Sequence, residues 1–174
     1  EMRVTQIILK PASELKVNET YTLHIDKLPK YERIPERYNV STYKKEQLSF
    51  IISNTVDNDI PTLNCTPTEL KKTLVYYGCG PASCVYFNIA GQDKSELFVR
   101  TTVKNKVTGN STTYILSMRN GSIQVGHGMC SGAFHFDNGD NFEVSFQLYD
   151  QSGNMSNMTN AIAFTKPTKE TNVE

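Results

Sequence analysis

The stretch GCGPASC places four residues between Cys79 and Cys84, Gly80 and Pro81 among them. Three chemistries use a close cysteine pair. Zinc knuckles favour pairs separated by two to four residues, so this spacing sits at the edge of the range. The remaining ligands would come from Cys65, Cys130, His24, His127 or His135, and none of these forms a second close cysteine pair. The nearest approach to a metal motif is HGMC, with His127 three residues before Cys130. A dithiol redox site needs a shorter CxxC at a helix start after a strand, and the sequence offers neither. The third chemistry is a structural disulfide. Gly80 and Pro81 let the chain double back, so Cys79 is expected to close on Cys84. Cys65 then closes on Cys130 and stabilises the fold by roughly 4 kcal/mol in the chain-entropy model. Four cysteines permit three connectivities; spacing favours 65–130 with 79–84 but does not select it.

Asparagine carries a second modification signal. Asn-X-Ser/Thr sequons occur at Asn18, Asn39, Asn64, Asn110, Asn120, Asn154 and Asn157. The chain has 15 Asn and 31 Ser plus Thr, for which chance predicts about 2.7 sequons. The excess points to a glycoprotein that has passed through a secretory pathway. Asn154 and Asn157 nearly overlap, and Asn64 precedes a cysteine, so these three are the less certain acceptors. An oxidising, extracellular location follows, and it agrees with the disulfide reading.

Other catalytic patterns are missing. There is no GxSxG elbow, HExxH, Walker loop, GxGxxG or EF-hand loop. The stretch HFDNGDNFE offers Asp137, Asn138, Asp140, Asn141 and Glu143 as oxygen ligands for calcium, but in no standard spacing; it reads more simply as a polar turn. A lectin platform would draw on Tyr76, Tyr77, Tyr86 and Tyr114. Eighteen Lys plus Arg balance eighteen Asp plus Glu, so no basic excess points to nucleic acid. No cofactor, metal or catalysis is expected.

The elements that must position these residues are short strands. Alternation of apolar and polar residues marks 2–9, 20–26, 47–53, 72–77, 84–90, 96–104, 112–118, 122–125, 132–136, 142–149 and 161–165. Turn chemistry separates most of them, and RNGS (119–122) predicts a hairpin with a type I′ turn. No window sustains a helical period; 67–74 could open one helical turn. LPKYERIPERY (28–38) reads as a long connection, or as a contact loop through Tyr31, Ile34 and Tyr38. The fold class is therefore all-β, an antiparallel β-sandwich, immunoglobulin-like or enlarged, with two disulfides. A single domain over 1–165 and a charged flexible tail or stalk over 166–174 are expected. The opening residues lack the marks of a signal peptide. Membrane association would come only through an anchor on a longer parent chain.

The run NCT (64–66) with GCGPASCVYFNIAGQDKSELFV (78–99) resembles part of the lower leg domain of integrin α subunits. There a C-x4-C pair in a GCG-x-A-x-C setting precedes a strand. The present chain lacks that family's next cysteine and has no Trp. The resemblance implies a sandwich clip and no function.

These readings converge on an extracellular module that binds another protein, as a cell-surface recognition or adhesion ectodomain. A secreted pathogen or parasite protein that captures a host immune protein is the alternative; a structural spacer, a lectin or a hydrolase with an unrecognised site follow. The sequon-free region 70–100 is tyrosine-rich, which nominates Tyr76, Tyr77 and Tyr86 for the contact.

Overall fold

The computed structural model describes residues 2–3, 6–24, 37–39, 44–46 and 48–171. The strands in chain order are β1 (Met2–Arg3), β2 (Thr20–Thr22), β3 (Arg37–Asn39), β4 (Lys44–Glu46), β5 (Ser49–Ile51), β6 (Thr62–Leu63) and β7 (Glu69–Tyr77). They continue with β8 (Gly80–Asn88), β9 (Gly91–Gln92), β10 (Leu97–Asn105), β11 (Ser111–Ser117), β12 (Ser122–His127), β13 (Ser131–Gly132), β14 (Asn141–Asp150) and β15 (Ile162–Thr165). No helix occurs among the described residues. The chain divides into two compact units, Ile8–Asp57 and the remainder.

The larger unit is built on two main sheets, ordered β1-β13-β12-β8-β7 and β11-β10-β14-β15. All pairings are antiparallel except the short β1–β13 contact. The chain forms the β7–β8 hairpin, crosses to the second sheet for β10 and β11, and returns for β12. It crosses again for β14 and β15.

Period-two alternation decides which face each strand buries. In β14, Phe142, Val144, Phe146 and Leu148 are buried between less buried neighbours. Val85 and Phe87 of β8, Ile123 and Val125 of β12, and Val99 and Val103 of β10 complete the interior. Phe87 bridges the two sheets, with its ring 5.5 Å from both Phe146 and Phe164. Each such buried side chain contributes about 1.5–3 kcal/mol. The 132–136 segment enters the strand network only at its start, yet it plugs the core. Phe134 packs edge-on against Tyr114 at 5.4 Å and Phe136 against Phe142 at 5.2 Å.

Two local expectations give way to tertiary pairing. Residues 67–74 do not open a helix; most of them belong to edge strand β7, whose lysines suit a strand edge. RNGS does make the tight turn. Asn120 and Gly121 have φ of 49° and 69°, and Arg119 and Ser122 exchange backbone hydrogen bonds of 2.9 and 3.0 Å. The flanking strands β11 and β12 belong to different sheets, however. The turn is a crossing point, not a hairpin.

The smaller unit, Ile8–Asp57, contains the β2–β5 and β3–β4 pairs. Thr22 and Ser49 hydroxyls meet across the first pair at 3.0 Å. Most of the 28–38 loop, with Tyr31 and Ile34, lies outside the described residues.

Candidate interaction surface

The β7–β8 hairpin carries all three nominated tyrosines. Its register pairs Lys71 with Tyr86, Tyr76 with Pro81 and Tyr77 with Gly80. Paired residues share a sheet face. Tyr77 and Tyr86 therefore lie on the outer face, opposite the Val85 and Phe87 side chains. They are separated by six residues of strand, about 20 Å. Tyr86 is half-buried under the Lys71 ammonium, which sits 5.1 Å from its ring centre. Tyr76 takes the parity of buried Leu74 but lies beyond the core and is 60% exposed, with Tyr77 48% exposed. The three do not form one patch: Tyr76 and Tyr77 straddle the end of an edge strand, and Tyr86 stands apart.

The edge of β7 is engaged part-way along. Leu74 N–H donates to Thr171 Oγ1 at 2.8 Å, and Leu74 C=O accepts from Thr171 N–H at 2.8 Å. Lys72 Nζ donates to Thr165 Oγ1 at 2.6 Å. The segment leading to Thr171 is fixed at its start by Lys166. That residue pairs with Asp140 at 2.7 Å and donates its backbone N–H to Asp140 C=O at 3.0 Å. Asp140 thus faces a lysine. Asn105 Nδ2 donates to Asp137 C=O at 2.8 Å. These bonds tie down a turn in the stretch that offers Asp137, Asn138, Asp140, Asn141 and Glu143 as oxygen ligands.

The expected disulfides are corrected by strand register. None of the four cysteines is bonded to another in this structure. Cys79 occupies the β7–β8 turn, while Cys84 lies inside β8. Gly80 to Cys84 runs along an extended strand for about 13 Å, against roughly 4.4–6.8 Å between the Cα atoms of a disulfide. The turn that Gly80 and Pro81 were expected to make is made one step earlier, at Gly78 and Cys79. Cys65 lies beside the far end of β8, its Sγ 4.0 Å from Asn88 Nδ2. Cys130 lies in the β12–β13 turn beside the near end. About 26 Å of β8 separates those two ends. Neither 79–84 nor 65–130 can close, and the clip implied by the integrin resemblance is absent.

Cys84 is buried, and burial pushes its thiol above the usual range against hydrogen bonds with Gln124 and the His127 carbonyl. It is a packing residue and an unreactive one. His127, from HGMC, is buried. Its Nδ1 lies 3.0 Å from Gly128 O, and its ring stacks on His135 at 4.8 Å.

Among the sequons, Asn18, Asn64, Asn110, Asn120 and Asn157 are exposed. Asn154 is half-buried, and its Nδ2 donates to the fully buried Asp150 carboxylate at 2.8 Å. Asn39 lies in β3, and its side chain is outside the described part. Sequence reasoning missed the Asp150–Asn154 contact, because Asp150 lies at a strand end that reads as a solvated turn.

Comparison with known proteins finds no matching family, no matching curated protein and no matching solved structure.

Proposed function

We propose that this chain is an extracellular, glycosylated, immunoglobulin-like module that binds another protein and performs no catalysis. One observation carries the reading: Tyr76 and Tyr77 are both exposed, on opposite faces of the end of an edge strand, in a region without sequons. Large tyrosines held on a strand offer rigid contact area at low entropic cost. The strand order supports the immunoglobulin-like part of the reading. Strands β7, β8 and β12 make one layer, and β10, β14 and β15 the other, with β11 joined to the second.

The test is a binding screen of the secreted protein, displayed as a fluorescent multimer, against an array of cell-surface and soluble ectodomains. A partner should bind the wild type and bind Tyr76→Ala/Tyr77→Ala at least about tenfold more weakly, with the melting temperature of the variant within about 2 °C. Binding that survives the double substitution removes the tyrosines from the site. Binding lost equally with stability makes them packing residues.

A further inference from the structure

We propose that Cys79 and Cys130 form the one disulfide of this fold, joining two neighbouring turns, while Cys65 and Cys84 stay reduced. Strands β8 and β12 are antiparallel neighbours, with Ser83 opposite His127. The chain leaves β12 at His127 and turns through Met129 and Cys130, closed by a 2.9 Å hydrogen bond from Gly128 N–H to Ser131 C=O. The chain enters β8 at Gly80 from a turn whose last residue is Cys79. Both turns therefore lie at the same end of adjacent strands, which run about 4.8 Å apart. They come close: a Cβ placed on Gly80 would sit 3.8 Å from the Met129 carbonyl oxygen. Cys79 and Cys130 are each one residue from that approach, so their Cα atoms are within about 12 Å at the outside.

Chemistry separates this pair from the others. Cys79 and Cys130 are exposed and lie in two-residue turns, whereas Cys84 is buried inside a strand. The two thiols are not bonded in this structure, and the bridge requires the two turns to move until their Cα atoms are roughly 4.4–6.8 Å apart. Both cysteines lie outside the strand ladders, so that movement is confined to the turns. Cys65 is held at the opposite end of β8. A small-molecule disulfide such as oxidised glutathione supplies the oxidant. The thiolate of one cysteine attacks it and releases one reduced thiol. The second cysteine then attacks the mixed disulfide, forming the protein S–S bond and releasing the second thiol. The two cysteine protons end on the released thiols. The bridge would sit directly beyond Tyr76 and Tyr77 and would fix the turn that follows them.

The test is peptide mapping of the full chain after equilibration in a glutathione redox buffer and alkylation in denaturant. Cys79 and Cys84 share the tryptic peptide 73–94, so fragmentation between Gly80 and Ser83 assigns which of them is linked. The expected result is a 79–130 bridge with alkylated Cys65 and Cys84. Reduction should lower the melting temperature by about 5–15 °C. Cys79→Ser and Cys130→Ser should each abolish that difference, and Cys65→Ser should leave it. A bridge containing Cys65 or Cys84, or alkylation of Cys79 and Cys130 in oxidised protein, overturns the proposal. So does a reduction effect that survives Cys79→Ser.

Discussion

At the scale of single residues, the polar groups are specified by their neighbours. Asp150 is fully buried, yet it accepts from Asn154 N–H and Nδ2, each at 2.8 Å. A buried carboxylate needs such donors. Glu143 is held below the usual glutamate range, first by its hydrogen bond from Lys106 and then by that ammonium's charge. A depressed folded-state value stabilises the fold above the unfolded value of about 4.3. That contribution is lost as pH falls through the lower folded value. Glu143→Gln is therefore expected to lower the melting temperature slightly at pH 7, by no more than about 2 °C. The difference should shrink as pH falls below about 4.3 and through the lower folded value, as thermal scans of both proteins across pH would show. Asp93 behaves alike, held low chiefly by the Ser95 backbone N–H.

At the scale of elements, strand contact is tightest where β8 and β12 cross glycine. A Cβ at Gly126 would lie 2.1 Å from Ser83 O and 2.8 Å from Cys84 Cα, and the residue has φ of 142°. Backbone atoms cannot yield as a flexible side chain can. Gly126→Ala is expected to destabilise the protein by at least about 2 kcal/mol. It should also open amide exchange along β8 and β12 before β10 and β14, measured by hydrogen exchange. Uniform loss of protection would instead place Gly126 in the common core, not in one sheet.

At the scale of the whole molecule, the sequon asparagines with described side chains are either exposed to solvent or engaged in packing. Asn157 is exposed, whereas the Asn154 amide is committed to Asp150. Protein made in secretory cells is expected to carry a glycan on Asn157 far more often than on Asn154. Occupancy at Asn18, Asn110 and Asn120 should be high. Site-resolved glycopeptide analysis measures all of these, and bare asparagines throughout would remove the extracellular reading. A second outcome is informative: a glycan on Asn154 with Asn157 bare would mean that attachment precedes the Asp150 contact.

The sequence by itself determined the all-β class and most strands of the larger unit, because a half-buried strand writes its faces as period-two alternation. FEVSFQLY, CVYFNIA and ELFVRTTVK are cases in point. It also determined the RNGS turn, since Asn-Gly accepts positive φ locally. Sequence did not separate 132–136 from a true strand: Phe134 and Phe136 alternate because they fill the core, not because they pair. The nearness of the Cys79 and Cys130 turns, the sheet change across RNGS and the docking of Thr171 on β7 were decided only by the tertiary structure. Each depends on which distant strands lie side by side, and strand register is a property of pairs that no local stretch of chain encodes.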